Sequence, residues 1–144
     1  MKKLAALVIL CFLQITSVHA LKRVKAELRE YPYTAQLPAC NDGGVTGLIA
    51  SRFAAREREF WSSGLKINEI FKIKDISFRP NGRDIIPRRY CSATVALSNS
   101  KKHHIDYFIT EDAGIIGWNY GVDWCVSGLN RHYAYDGQCR AARP

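Results

Sequence analysis

Residues 44–78 read GVTGLIASRFAAREREFWSSGLKINEIFKIKDISF, and the apolar period changes partway along them. Before Gly64, residues Ile49, Ala50, Phe53, Ala54, Phe60 and Trp61 fall on one stripe when projected at about 100° per residue, the signature of an amphipathic helix. Asn41 and Asp42 are good N-cap residues and Gly64 is a good stop, so the spacing predicts a helix over 44–63. Beyond Gly64 the period falls to about 2. Leu65, Ile67, Phe71 and Ile73 alternate with Lys66, Asn68, Lys72 and Lys74. Ile76 and Phe78 then take the opposite phase, as they do after a β-bulge.

Three further strands follow on the same logic. Cys91, Ala93, Val95 and Leu97 share a face, as do Ile105, Tyr107 and Ile109, and then Val122, Trp124 and Val126, with Cys125 on the reverse side of the last strand. Pro80-Asn81-Gly82 with Pro87, then 98–101, then 112–121 are the turns between them. The expected fold class is α+β: one long N-terminal helix packed on a curved antiparallel sheet of about four strands, the architecture of cystatin-like and NTF2-like folds. That match concerns architecture and carries no function.

Glu57 falls in the middle of the apolar stripe. An unpaired buried charge is costly, so the position implies either a structural ion pair or a carboxylate at the edge of a cleft. Arg88 and Arg89 are the obvious cations to answer it.

Upstream, residues 1–20 (MKKLAALVILCFLQITSVHA) read as a secretory signal: Lys2 and Lys3, an apolar run over 4–15, and Val18-His19-Ala20 as the cleavage site. The apolar run is shorter than the roughly 20 residues of a membrane span, and the mature chain is expected to contain no transmembrane segment. Residues 21–39 form a basic, Pro-containing lead-in, and 40–144 a single domain. Removing Lys2 and Lys3 from the formal charge of +8 leaves +6, which favours anionic partners such as envelope polymers, membrane surfaces or acidic proteins. The export signal makes nucleic acid an unexpected partner despite this charge.

Cys11 is lost with the signal, leaving Cys40, Cys91, Cys125 and Cys139, an even number in an oxidising compartment. Cys125 and Cys139 flank a loop rich in turn formers and are expected to pair, which leaves Cys40 with Cys91. Metal-ligand spacing of the C-x₂₋₄-C type and a redox C-x-x-C are both missing. His103 and His104 are adjacent, so on a strand they point to opposite faces. His132, between Cys125 and Cys139, is weak evidence for a metal site. No catalytic motif is present, and neither cofactor nor metal is expected. Nothing in the spacing makes Glu57 converge with Glu111, Asp112 or Asp123, the pairs a glycosidase would need.

Two segments are richer. Arg79, Arg83, Arg88 and Arg89 surround a loop that ends on Tyr90, a pattern suited to bidentate contact with carboxylate or phosphate. Trp118 and Tyr120, flanked by Gly117 and Gly121, suit a stacking platform or an interface hot spot, with Tyr133 and Tyr135 beyond. Trp124 is expected in the core.

Glu57 to Trp61, Pro87-Arg88-Arg89-Tyr90-Cys91, Gly121-Val122-Asp123-Trp124-Cys125, Gly128-Leu129-Asn130-Arg131 and Cys139-Arg140-Ala141-Ala142-Arg143-Pro144 together resemble a family of small exported proteins of alphaproteobacteria, over roughly residues 37–144. The resemblance implies a bacterial envelope setting, periplasmic or secreted, and brings no catalytic residues with it. The leading expectation is a non-enzymatic binding module, such as an inhibitor or adaptor of a cell-wall protein, using Arg79, Arg83, Arg88, Arg89, Trp118 and Tyr120. The alternatives are an electrostatic binder of anionic envelope polymer or membrane surface, and a small hydrolase or lyase using Glu57 in a cleft.

Overall fold

The computed structural model describes residues 33–80 and 86–144; the export signal expected over 1–20, most of the lead-in and Arg83 lie outside the described residues. Tyr33–Pro144 form one compact unit. Helix α1 (Gly43–Trp61) precedes four strands, β1 (Ile67–Arg79), β2 (Arg88–Leu97), β3 (Lys102–Thr110) and β4 (Gly121–Val126). The strands form one antiparallel meander in sequence order. No helix among the described residues is long and apolar enough to cross a membrane.

Asp42 caps α1, its carboxylate accepting from the amides of Gly44 and Val45 at 2.8 and 3.2 Å. The helix closes at Ser62, in the left-handed conformation at φ 48°, two residues before the expected stop at Gly64. Its buried line is Val45, Ile49, Phe53 and Glu57, a ridge stepping by four residues. The next member of that ridge is Trp61. Phe60, expected on the stripe, is therefore left to one side and is 70% exposed.

The helix packs on an inner sheet face built from Cys91, Val95, Ile105, Tyr107, Ile109 and Trp124, among others. Phe53 meets the Trp124 ring at 5.6 Å between centroids, and burying a side chain of that size contributes about 2–3 kcal/mol. The Tyr107 hydroxyl donates to the Cys40 carbonyl at 2.7 Å, and burial pushes that phenol up to about 12.

β1 is an edge strand with register shifts at Ile67/Glu69, Phe71/Lys74 and Asp75/Ser77. The first shift changes which residues face inward: Ile70 joins Ile67 and Ile73 against the core. Phe71, expected with that set, pairs instead with Thr94 and lies 5.6 Å from the Lys102 ammonium. Bulges and lysines are devices that discourage a further strand from adding to such an edge.

The two disulfides join Cys40 to Cys91 and Cys125 to Cys139, with the pairing expected from the sequence. The first ties the helix start to β2 on the inner side. The second draws a 3-10 segment, Gly137–Ala142, onto the outer face of the sheet, where Cys139 and Ala142 are buried against Cys125, Phe108 and Tyr135. Closing a loop of that length stabilises by roughly 3 kcal/mol on the chain-entropy account.

Candidate functional site: the loop end of the sheet

An antiparallel meander returns alternate connections to the same end of its sheet. Here Arg79 pairs with Arg88, Arg88 with Thr110, and Thr110 with Gly121, so one row crosses all four strands. The connection after Arg79 and the connection over 111–120 both leave from this row. The two segments singled out in the sequence therefore share one end of the molecule.

The 111–120 connection is built by close backbone approach. Gly114 and Asn119 are bonded across it, the Gly114 amide donating to the Asn119 carbonyl at 3.3 Å. A Cβ on Gly114 would lie 2.0 Å from the Trp118 carbonyl oxygen, and one on Gly121 would lie 2.4 Å from that of Ala113. Only glycine fits at either position. Between them, Ile116 holds φ 56°, a conformation that costs a β-branched residue about 1–3 kcal/mol. The result is an apolar tip: Ile115, Ile116 and Trp118 are 78%, 90% and 66% exposed. Tyr120 is half-buried against the core, with its hydroxyl beside the start of α1 at Gly44.

Glu111 anchors the base of this loop. Its amide donates to the Pro87 carbonyl at 3.2 Å, joining the two loops directly. Its buried carboxylate accepts from the Thr34 amide, the Thr34 hydroxyl and the Ala35 amide, each at 2.7 Å. Three charge-assisted bonds to one carboxylate fix residues 34–35 beside the loops. The sequence reading missed this role, because the partners are backbone amides 76 and 77 positions away and leave no local pattern.

The arginines are distributed rather than clustered. Arg79 lies over the Tyr90 ring at 5.4 Å and Arg88 over the Phe108 ring at 5.5 Å. Arg89 lies over Phe78 at 4.5 Å and is paired with Asp75.

Neither Arg88 nor Arg89 answers Glu57, contrary to expectation. Glu57 is fully buried near the helix end, at the opposite end of the sheet from those arginines. Arg131 answers it, with Nη2 at 3.2 Å from Oε2, and the Ser63 hydroxyl donates to the same oxygen. Oε1 has no hydrogen-bond partner among the described residues. Arg131 also lies 4.6 Å over the Trp61 ring, which His132 meets from the loop at 4.6 Å. Glu57 lines none of the three open clefts beside the second disulfide and on the outer sheet face, and its carboxylate is enclosed beside Arg131. Glu111, at the loop end, is remote from it.

Trp124 is in the core at 6% exposure, with the Arg56 guanidinium 3.7 Å over its ring; burial holds that guanidinium below its usual range. Tyr135 donates to Asp123 at 3.0 Å, and burial together with that carboxylate pushes the phenol up to about 12. Tyr133 is exposed.

The adjacent histidines separate as the strand period requires. His103 Nδ1 meets the Ser127 carbonyl, while His104 Nε2 meets Asp106 Oδ1, both at 2.9 Å. Asp106 is buried and also accepts from Arg143 Nε at 2.8 Å. Among the described residues no group of three or more His, Cys, Asp or Glu could hold a metal ion.

Open clefts among the described residues accompany these features. One of about 770 Å³ lies beside the second disulfide, lined by Arg131, Tyr133 and Gln138 among others. One of about 430 Å³ and a smaller one of about 130 Å³ share Ser92 and His104 on the outer sheet face. The chain matches no protein-family model, no curated protein and no solved structure.

Proposed function

We propose that the chain is an exported, non-enzymatic binding module of the bacterial cell envelope, an inhibitor or adaptor of a cell-wall protein, which it engages with the sheet end carrying the 79–89 and 111–120 loops. The observation that carries this reading is the exposed apolar tip, Ile115, Ile116 and Trp118, held on a tight, glycine-dependent turn. Exposed apolar groups gathered in one place on a water-facing surface mark interaction sites. Tryptophan and arginine together are the residues most enriched at interface hot spots.

Pre-organisation supports the same reading. The loop backbone is already bonded to itself and to Pro87, so little ordering entropy is lost on binding. Two disulfides support an oxidising setting, and the resemblance to exported alphaproteobacterial proteins supports the envelope. One helix followed by a four-strand meander supports the cystatin-like form of the α+β architecture.

The test is capture from envelope extract by the immobilised chain, compared with an Ile116→Ser, Trp118→Ala double variant. Capture of a defined protein should fall at least tenfold, while the thermal midpoint stays within about 3 °C, less than 1 kcal/mol for a domain of this size. Undiminished capture by the double variant would remove the tip from the interface. Retention that collapses with salt in both proteins would favour binding to anionic polymer instead.

A further inference from the structure

We propose that the outer face of the sheet carries a second site, for a phosphomonoester with a small apolar substituent. The β1 register shift between Phe71 and Lys74 creates it. Lys72 takes φ 54° there, and Lys72 and Lys74 both line the 130 Å³ cleft together with Ser92, Thr94 and His104. Neither lysine has an ion-pair partner among the described residues. Two compact ammonium charges beside two hydroxyls suit a tetrahedral dianion, which accepts from many directions, better than a planar monoanionic carboxylate.

His104 is the hinge between this cleft and its neighbour. Its Nε2–H donates to Asp106, which fixes the ring and leaves Nδ1 as its second polar atom. The Asp106 carboxylate would repel an anion, but Arg143 also pairs with it, so its charge is already answered. The adjoining 430 Å³ cleft is lined by Ile76, Tyr90, Ala142 and Pro144 besides the shared residues. A ligand spanning both therefore has a phosphate at the lysine end and an apolar body of about the size of one ring on Ile76 and Tyr90.

The probes are inorganic phosphate, phenyl phosphate and benzoate, titrated into the disulfide-intact chain at low ionic strength and followed by amide chemical shifts and calorimetry. Phenyl phosphate should bind at least tenfold more tightly than either inorganic phosphate or benzoate, with shifts centred on Lys74, Ser92 and His104. Lys72→Ala with Lys74→Ala should weaken both phosphates at least tenfold without moving the thermal midpoint, since both side chains are exposed. Ile76→Ser should abolish only the advantage of the phenyl ring. Equal binding of benzoate, equal binding by the lysine double variant, or no shift with phenyl phosphate at millimolar concentration would each overturn the proposal.

Vesicles distinguish the source of the phosphate. Phosphatidic acid in phosphatidylcholine, bound in a Lys72- and Lys74-dependent way, identifies a lipid headgroup, whereas phenyl phosphate binding without vesicle binding identifies a soluble ester. Vesicle binding that depends only on surface charge, equal for phosphatidylglycerol and indifferent to the lysine substitutions, would overturn the site.

Discussion

Replacing Arg131 by Met should destabilise the fold far more than an arginine on an exposed loop ordinarily would. Glu57 is wholly enclosed, and the substitution leaves its Oε2 with Ser63 alone while Oε1 already has no partner among the described residues. Breaking a fully buried pair costs about 3–5 kcal/mol. The Arg131 side chain is 31% exposed, so solvent screens part of the interaction and the lower figure of about 2–3 kcal/mol applies. Loss of its contact with the Trp61 ring makes up about 0.5–1 kcal/mol of that total. Urea unfolding at neutral pH with disulfides intact measures the change directly, and the midpoint should fall at constant slope. Glu57→Gln in the Arg131→Met background should restore about 1 kcal/mol or more, because the stranded charge is gone. If Arg131→Met costs under about 0.5 kcal/mol, or the two substitutions add without coupling, Glu57 is not held by this arginine.

Glu111→Ala should cost about 2–3 kcal/mol, and hydrogen exchange at the Thr34 and Ala35 amides should rise towards the rate of open chain, since three charge-assisted bonds end on that carboxylate. Ile116→Gly should raise stability by about 0.5–1 kcal/mol by relieving the left-handed isoleucine at φ 56°, while weakening capture of the envelope partner; a loss of stability would show that the turn is not strained. Gly114→Ala should lower stability and open the loop, read as lost protection of the amide at position 114, and should also weaken capture. Tyr107 and Tyr135 both titrate near 12 when folded, above the ordinary value of about 10. The neutral phenol is the form the fold favours, so this contribution is complete below pH 10 and is lost as pH rises from about 10 to 12. Thermal midpoints should fall over that interval, with part of the tyrosinate absorbance appearing only on unfolding; a flat stability profile to pH 12 would contradict the assignment.

The architecture was legible where periodicity carries it. The change of period at Gly64, the alternation around Ile105 and Val122, and the even set of cysteines each report local geometry or simple arithmetic. Glu57 stood out because a carboxylate on an apolar stripe is anomalous in one dimension. Its partner did not, since choosing Arg131 over Arg88 requires knowing which end of the sheet the helix terminus reaches. Phe71 was misread for a related reason: a register shift at Ile67/Glu69 reverses the facing of Ile70 and Phe71 until the next shift at Phe71/Lys74 restores it, and no residue announces either shift. At the loop end, Trp118 between glycines was visible as an unusual composition. Glu111 was invisible because it recognises main-chain amides, which every residue carries.

The two cross-links fasten different layers of the molecule. Cys40–Cys91 secures the helical layer, whereas Cys125–Cys139 secures only the tail that carries Ala142 and Arg143 across the sheet's reverse side. A reductant that opened the second alone would unclip that flap and dismantle one wall of the apolar cleft beside the lysines, yet leave the helix seated and the apolar tip unchanged. Redox conditions could thus silence one surface of this chain while sparing the other.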